Sequence, residues 1–519
     1  MMAGELIKTG TEGLDEIFFG GIIPDNSLLV EGSPGAGKTT LGLQYIYRGA
    51  ADFGQPGIII TFEEEPEKLY RDALVFGWDL RHLESRNLLR IIPSSPEAVR
   101  DMLLKPESGF SRISRSIGAN RVMVDSITHF RRLTDNTQQL RVLLSKFITG
   151  LMKLTSSAVL IKEIESTERE GANIEEYIID TVVRLSYEQH GRQRRERFLE
   201  VVKSRGQKHL SGKHTLRFND TGLVVYPVCG ALHGLDGEGR KKTGKKQARA
   251  HVSTGIEGLD LMCQGGLPAG SSSVVAGSSG TGKSVLAAQF MYDGLKGGEP
   301  VLLVRFGADE SEALETTGLF SARLEKHVGD GKLKVLFRST HELAPDELLH
   351  ELKSMLDQHK PGRLVVDSLS QLMQSVDDEE YTVDYLGALL KLFAHHGVTS
   401  LFTFEMDKMF GSLEIDSRRT LGLFDNLVLL RYVELEGEIH RAVAILKMRG
   451  TDHHKSIQEY VIGDKGIEVK HKFEKAVDVM GGGAASSGPD RLELKDILED
   501  ATRWAQATRR MRERQGGGF

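Results

Sequence analysis

The sequence has few of the features that mark secreted or membrane-embedded proteins. Its 519 residues include only two cysteines, Cys229 and Cys263, which cannot form a disulfide framework and are typical of the reducing cytoplasm. The longest apolar runs, such as Gly57–Ile60 and Leu427–Leu430, are too short to span a bilayer. The first residues lack the apolar stretch of a secretory signal. We therefore expect a cytoplasmic protein without a membrane segment.

The sequence also lacks a strong net charge of either sign. Its 67 Lys and Arg residues face 73 Asp and Glu residues, which leaves a formal net charge of −6. A protein that coats nucleic acid needs clustered Lys and Arg, so this balance disfavours constitutive nucleic-acid binding. Hydrophobic residues make up 39% and charged residues 27%, which is ordinary for a globular protein long enough for about two to four domains.

The most informative feature is an internal repeat. The segment Thr9–Asp15 recurs as Thr254–Asp260, and Val122–Ser126 recurs as Leu364–Ser368. Five such pairs lie 242 to 245 residues apart, a spacing far too long for a solenoid. The sequence therefore predicts two copies of one domain, at 1–235 and 251–470.

Two segments outside the copies have linker composition. Residues 236–250 are Gly-rich and basic, and they form either a solvated linker or a nucleic-acid contact. Residues 471–519 combine a flexible Gly-rich stretch with an amphipathic helix and a basic end. That helix could dock on its own oligomer or bind a regulatory protein, or its basic end could touch a membrane or nucleic acid.

Within each copy, short β-branched runs alternate with helical stretches. Buried runs of this kind, separated by helix-length segments, predict an α/β fold with a mostly parallel, doubly wound sheet flanked by helices. The predicted strands are Ser27–Glu31, Gly57–Phe62, Arg121–Asp125 and Ala158–Ile161 in the first copy, and Ser272–Ala276, Val301–Phe306, Arg363–Asp367 and Ser400–Phe404 in the second.

Each copy carries a glycine-rich run that fits the P-loop pattern G-x-x-x-x-G-K-[ST] between a strand and a helix. Glycines let backbone N–H groups surround phosphate oxygens, and the helix adds its positive N-terminal end. Two matches in register predict two ATP sites. Their residues are Gly32, Ser33, Pro34, Gly35, Ala36, Gly37, Lys38, Thr39 and Thr40, and Gly277, Ser278, Ser279, Gly280, Thr281, Gly282, Lys283, Ser284 and Val285.

The same runs predict a Mg²⁺ site in each copy. The hydroxyls of Thr39 and Ser284 follow the P-loop lysines, and hydroxyls in this position bind Mg²⁺ in P-loop enzymes. Asp125 and Asp367 end apolar strands, where a carboxylate holds the same ion directly or through water.

Hydrolysis also requires a group that orients or deprotonates water. In the first copy the strand at Gly57–Phe62 is followed by Glu63 and Glu64, which we predict to be catalytic. In the second copy the corresponding acids, Asp309 and Glu310, come two positions later. We therefore expect the first site to be the better hydrolase.

These motifs together resemble the KaiC family of circadian-clock ATPases, within the RecA superfamily. The resemblance rests on both P-loops, on Thr61–Glu64, on Val124–Ser126 and on a repeated Lys-x-Arg-Gly, and it covers the chain except its C-terminal tail. It implies two tandem RecA-like domains and a double-ring homohexamer with nucleotide between subunits. It also implies residues that act on the neighbouring subunit's nucleotide, namely Lys203, Arg205, His209, Lys447, Arg449 and His453.

The sequence departs from that family at the phosphorylation site. Leu421 and Gly422 occupy the positions of the family's Ser-Thr pair, while Ser417 and Thr420 are the nearest hydroxyls. The leading hypothesis is therefore a Mg²⁺-dependent ATPase that acts as a hexameric nucleotide-driven switch in signalling or clock-type regulation. The alternatives are a serine/threonine autokinase, a nucleotide-gated scaffold with little turnover, and a DNA motor. The candidate pore residues of such a motor are Arg131, Arg132, Arg192, Arg194, Arg195 and Arg197.

Overall fold

The computed structural model separates the chain into two compact units, Met1–Ala231 and Leu232–Phe519. We describe each unit by itself. The described residues are 5–98, 109–164, 174–190, 194–228, 250–307, 314, 318, 320–339, 343–374, 376, 379–406, 418–435 and 437–473. The predicted linker before residue 250 and the predicted C-terminal helix lie outside them.

The first unit is built on one nine-stranded sheet in the order β3-β2-β4-β5-β1-β6-β7-β8-β9. Strands β1 to β6 run parallel and β7 to β9 continue antiparallel. The strands are β1 Ser27–Gly32, β2 Gly57–Thr61, β3 Leu89–Pro93, β4 Arg121–Asp125, β5 Ser157–Glu163, β6 Thr181–His190, β7 Arg194–Ser204, β8 Lys213–Asn219 and β9 Gly222–Tyr226. The helices are α1 Leu14–Ile17, α2 Lys38–Asp52, α3 Pro66–Leu74, α4 Leu80–Ser85, α5 Gly109–Ile117, a 3₁₀ helix Ile127–Leu133, α6 Thr137–Met152 and α7 Ile174–Ile178.

The second unit repeats this sheet in the order β14-β13-β15-β16-β12-β17-β18-β19-β20. Its strands are β12 Ser272–Gly277, β13 Val301–Gly307, β14 Leu333–Ser339, β15 Arg363–Asp367, β16 Thr399–Glu405, β17 Asn426–Leu435, β18 Glu438–Met448, β19 Gln458–Gly463 and β20 Gly466–Lys472, preceded by the small pair β10 His251–Val252 and β11 Leu267–Pro268. Its helices are α8 Glu257–Met262, α9 Lys283–Lys296, α10 Ser321–Gly329, α11 Pro345–His359, α12 Leu369–Gln374, α13 Glu379–His395 and α14 Arg418–Leu421.

The predicted fold class is confirmed in both units, because each has a mostly parallel sheet with flanking helices. The central strands are buried along their whole length, which explains why they lack alternation of polar and apolar residues. Within the described residues, no helix has the length and apolar character needed to cross a membrane.

A buried arginine joins the P-loop helix to the sheet in each unit. Arg121 on β4 donates to the carbonyls of Tyr45 and Lys8, at 2.9 and 2.8 Å. Arg363 on β15 donates to the carbonyls of Phe290 and Ser253, at 2.8 and 2.9 Å. The facing helix position is a glycine in both units, and a Cβ there would meet the arginine Cδ at 2.5 to 2.6 Å. The repeat thus includes a packing contact as well as the nucleotide motifs.

This topology brings the predicted site residues to one edge of each sheet. In the first unit, β1 lies between β5 and β6, and β4 lies between β2 and β5. The carboxyl ends of these parallel strands meet at the same edge, where open α/β sheets bind ligands. The P-loop follows β1, Glu63 and Glu64 follow β2, and Asp125 ends β4.

Candidate nucleotide sites

The first P-loop turns sharply between β1 and α2. Gly35 and Gly37 have φ angles of +76° and +108°, which residues other than glycine rarely adopt. Gly32 approaches β6 so closely that a Cβ would lie 2.2 Å from the carbonyl oxygen of Leu185. Helix α2 then begins at Lys38, so its unpaired N–H groups open toward the loop. This arrangement can bind phosphate oxygens.

The second P-loop has the same backbone. Gly280 and Gly282 have φ angles of +78° and +94°, and helix α9 begins at Lys283. A Cβ on Gly277 would lie 2.5 Å from the carbonyl oxygen of Leu430. The backbone part of the site is therefore present in both units.

The two P-loop lysines are held alike. Lys38 Nζ donates to the carbonyl of Ser33 at 2.9 Å, and Lys283 Nζ donates to that of Ser278 at 2.9 Å. Burial lowers the pKa of both amines, and nearby carboxylates partly oppose that shift. Each loop thus holds a partly desolvated ammonium group. A bound phosphate would compensate its positive charge strongly.

In the first unit the predicted metal ligands meet. Thr39 Oγ1 donates to Asp125 Oδ2 at 2.7 Å, and among the described residues no side chain forms an ion pair with Asp125. Burial raises the pKa of Asp125 to about 6, a sign that the negative carboxylate is poorly compensated. A hydroxyl and a buried carboxylate beside a phosphate site are the oxygen donors that Mg²⁺ takes. These residues fit Mg²⁺.

In the second unit the corresponding carboxylate is engaged on both oxygens. Ser284 Oγ donates to Asp367 Oδ2 at 3.2 Å, but the guanidinium of Arg305 forms an ion pair with the same oxygen. The hydroxyl of Thr403 donates to Oδ1. A cation site that already contains a guanidinium does not fit Mg²⁺. The role of Asp367 as a metal ligand stays a prediction with which this geometry disagrees.

The two predicted catalytic acids of the first unit have different partners. Glu63 Oε1 lies 3.2 Å from His129 Nε2 and 3.4 Å from Arg132 Nη2, and its side chain is 60% exposed. Glu64 pairs with Lys68, one turn along α3. Thr61 accepts a hydrogen bond from the Glu64 N–H at 3.1 Å and donates to the Glu64 carbonyl at 2.9 Å. Thr61, the last residue of β2, therefore fixes the turn that carries the two predicted acids.

The corresponding acids of the second unit, Asp309 and Glu310, lie outside the described residues, as does the candidate phosphoacceptor Ser417. The other candidate phosphoacceptor, Thr420, lies on α14 and is 3% exposed.

The predicted neighbour-directed cations of the first unit contact carbonyls of their own chain. Lys203 Nζ donates to the carbonyls of Glu176 and Ile179, both at 2.7 Å, and Arg205 Nη2 donates to that of Tyr177 at 2.7 Å. These carbonyls lie at and just after the end of α7, where cations are favourable. Burial lowers the pKa of Lys203.

The second unit repeats this arrangement after α14. Lys447 Nζ donates to the carbonyls of Gly422 and Phe424, at 2.9 and 2.7 Å, and Arg449 Nη2 donates to that of Gly422 at 2.9 Å. Burial lowers the pKa of Lys447 to about 8.

The two predicted histidines have local partners. His209 Nδ1 lies 3.1 Å from the carbonyl oxygen of Leu210. His453 is half-buried, and its backbone N–H donates to Asp452 Oδ1 at 3.0 Å. Among the described residues, no hydrogen bond or ion pair joins any of the six predicted trans-acting residues to a P-loop of the same chain.

Sequence reasoning missed a carboxylate in each site. Strand β5 extends to Glu163, which is in register with Gly32, and β16 extends to Glu405, in register with Gly277. The N–H of Glu163 donates to Thr128 Oγ1, and the N–H of Glu405 donates to Ser370 Oγ. The signal was an acid at the same strand end in both copies, one or two residues beyond the predicted strands.

Strands β7 and β17 also place side chains against the P-loops. Arg197 Nε donates to the carbonyl of Gly35 at 3.2 Å, with its guanidinium 4.2 Å from the ring centre of Tyr187 and 4.9 Å from that of Phe218. In the second unit, Tyr432 Oη donates to the carbonyl of Gly280 at 2.7 Å. Arg197 was a candidate pore residue in the sequence, and the structure places it against the loop.

Comparisons with known proteins agree with the repeat. The family model described as "ATPase: KaiC" matches residues 7–229 and again 252–474. The circadian clock oscillator protein KaiC of Synechococcus elongatus is 30% identical over 95% of this chain and 93% of its own length. The proteins of that name from Acaryochloris marina and Prochlorococcus marinus are each 31% identical, over 95% and 93% of this chain and 94% of their own lengths.

Proposed function

The chain belongs to the KaiC family of ATPases, and from that premise we propose that its first domain hydrolyses ATP with Mg²⁺. The observation that carries this proposal is the pairing of Thr39 with Asp125 beside Lys38, at the sheet edge where Glu63 also lies. Phosphate-binding, metal-binding and water-activating groups are thus supplied by the ends of neighbouring strands.

Different residues of the first domain bind the phosphates, hold the metal ion and activate water in this proposal. The P-loop amides and Lys38 bind the β- and γ-phosphates, and Thr39 and Asp125 hold the metal. Mg²⁺ offsets charge on the transferring phosphoryl group when bound. Glu63 and Glu64 orient water or take its proton. His129 and Arg132 flank Glu63 from the 3₁₀ helix and limit its freedom, while its exposed carboxylate stays accessible to water.

We further propose that the protein assembles as a homohexameric double ring whose nucleotide state sets its conformation, as a switch. The family relationship and the repeated Lys-x-Arg-Gly support this assembly. The side chains of Arg205 and Arg449 are 52% and 45% exposed, so a neighbouring subunit could bring a phosphate to them. A regulatory protein that binds the C-terminal helix, and the cytoplasmic location, remain predictions.

The first experiment follows γ-labelled ATP incubated with Mg²⁺ and the full chain. We expect free phosphate, and we expect a Glu63→Gln, Glu64→Gln double variant to release at least about 100-fold less. Glu67→Gln is the matched control, because Glu67 is an exposed acid on α3 whose partner is Arg81. Label that accumulates on the protein would favour the autokinase. Bound ATP with neither product would favour the scaffold.

Mixing experiments test the trans-acting role. Lys38→Ala should prevent binding in a subunit's own loop, whereas Arg205→Ala should impair only hydrolysis at its neighbour's site. Each variant alone should release little phosphate, and mixed hexamers should recover part of the activity because some sites join an intact loop to an intact arginine. Mixtures that show no recovery, although the subunits exchange, would contradict action in trans.

A further inference from the structure

The second P-loop site differs from the first at the position facing its strand-ending aspartate. Strand β13 places Arg305 in register with Asp367, where β2 places Thr61 in register with Asp125. The Arg305 and Asp367 side chains are only 15% and 12% exposed, and they form an ion pair. The sheet register itself sets this pair, since both residues lie on adjacent hydrogen-bonded strands.

The other oxygen of the Asp367 carboxylate is also engaged. Thr403 on β16 donates to Oδ1, and the equivalent position on β5 is the apolar Ile161. Mg²⁺ would have to compete with the guanidinium for one oxygen and with a hydroxyl for the other. It would also leave a buried arginine next to a divalent cation, which repulsion and desolvation disfavour.

The surroundings of the proposed water-activating acid differ as well. Counting from the paired residues Thr61 and Arg305, the position of Glu63 is Gly307 in the second domain. Counting from the two strand-ending aspartates, His129 corresponds to Gln371 and Arg132 to Gln374. The partners that flank Glu63 in the first domain are therefore replaced by two glutamines, and the candidate acids Asp309 and Glu310 come two positions later in the chain.

The phosphate-binding groups of the second domain are nevertheless intact. Lys283 and the N-terminus of α9 are placed as in the first domain. Ser278 is 3% exposed, and its hydroxyl has no hydrogen-bond partner among the described residues, so the loop has a buried polar group ready to bind a ligand oxygen. A cation and donors for phosphate thus remain beside an aspartate whose two oxygens already contact Arg305 and Thr403.

We propose that the second domain binds a nucleoside di- or triphosphate without a divalent cation, with Arg305 as a fixed positive charge in place of Mg²⁺, and retains it unhydrolysed. This inference rests on the proposed function, in which both P-loops bind nucleotide. The second domain then acts as a permanently occupied structural site, and turnover belongs to the first.

The test counts metal and nucleotide separately on the full chain. Adenylyl imidodiphosphate, which resists hydrolysis, is bound to saturation, and Mn²⁺ is titrated and counted by electron paramagnetic resonance. We expect the wild-type chain to bind nucleotide at both sites but to hold Mn²⁺ at only one. Arg305→Thr, which installs the first-domain residue, should bring the count to two per chain. Wild-type protein that already holds two Mn²⁺ per chain would overturn the proposal.

A second measurement needs no change at Arg305. Lys38→Ala leaves only the second site, and its affinity for the analogue should change less than about twofold between Mg²⁺ and EDTA. Lys283→Ala leaves only the first site, which should lose at least about tenfold in EDTA. A second site that releases nucleotide in EDTA would contradict the inference. A first site that binds no nucleotide even with Mg²⁺ would instead refute the proposed function.

Discussion

At the carboxyl ends of matching strands, the first domain places Thr61 opposite Asp125 and the second places Arg305 opposite Asp367. Around this exchange the sheet order, the P-loop glycines and the buried arginine on β4 or β15 are repeated. The comparison shows that the structural needs of the fold and the chemical needs of the site are separable. Backbone geometry is retained in both domains, whereas the strand-end side chains beside the P-loops differ.

The largest effect is expected from the proposed water-activating acid. Glu63→Gln keeps the shape of the side chain but removes its basicity, so phosphate release should fall about 100- to 1000-fold. The measurement is steady-state phosphate release in the Lys283→Ala background, which isolates the first domain. The reciprocal Gly307→Glu, measured in the Lys38→Ala background, should not create turnover in the second domain, because Arg305 still pairs with Asp367. Hydrolysis gained by Gly307→Glu alone would remove the distinction between the domains.

A pH effect should also separate the domains. His214 is fully buried, and its Nδ1 accepts the Val228 N–H at 3.0 Å, so the neutral ring is favoured. Burial lowers the pKa of His214 from 6.5 to about 4. The unfolded state therefore binds a proton first as pH falls. The stability contributed by the neutral ring is complete above about pH 6.5 and declines by up to about 3 kcal/mol toward pH 4.

The measurement for this pH effect is denaturant unfolding followed by Trp78 fluorescence. Trp504→Phe provides the background, since the chain has two tryptophans and Trp78 is buried in the first domain. The corresponding position on β19 is Gln458, so His214→Gln is the matched variant and should flatten the profile between pH 6.5 and 4. An unchanged slope in that variant would show that other groups cause the acid sensitivity.

Installing the second-domain arginine in the first domain should convert its site. Thr61→Arg places a guanidinium opposite Asp125, so phosphate release should fall about 100-fold and Mn²⁺ binding at that site should be lost. Thr61→Ser is the control because it retains the hydroxyl that holds the turn at Glu64. A thermal melt verifies folding, since Thr61 is buried. If folded Thr61→Arg protein binds Mn²⁺ normally, an arginine in register with the aspartate does not by itself exclude the metal ion.

The smallest effect concerns the contact between β17 and the second P-loop. Tyr432→Phe removes one hydrogen bond to the carbonyl of Gly280, which should cost about 1 kcal/mol, or roughly fivefold in nucleotide affinity at the second site. Affinity is measured by fluorescent-nucleotide titration, with Tyr432→Phe in the Lys38→Ala background and the first-domain control in the Lys283→Ala background. Tyr187→Phe in the first domain is the control, because its ring can still stack on Arg197. Equal losses in the two variants would contradict a specific role for the Tyr432 hydroxyl.

The sequence by itself determined the features that depend on local pattern. The repeat, the two glycine loops and the strand-ending aspartates follow from residues close together in the chain, because a P-loop needs glycines, a lysine and a hydroxyl at fixed short spacings. Continuous β-branched runs likewise predicted the buried parallel strands, which the structure confirms with ends that differ by at most two residues.

Only the tertiary structure decided which side chains face one another across the sheet. Arg305 lies 62 residues before Asp367, and Thr403 lies 36 residues after it, so no local pattern joins them. Strand order and register bring all three together, as they bring Glu163 beside Gly32. Whether an aspartate is open to a metal ion or already paired with an arginine depends on these long-range neighbours, since burial and the nearest charge determine what a carboxylate can bind.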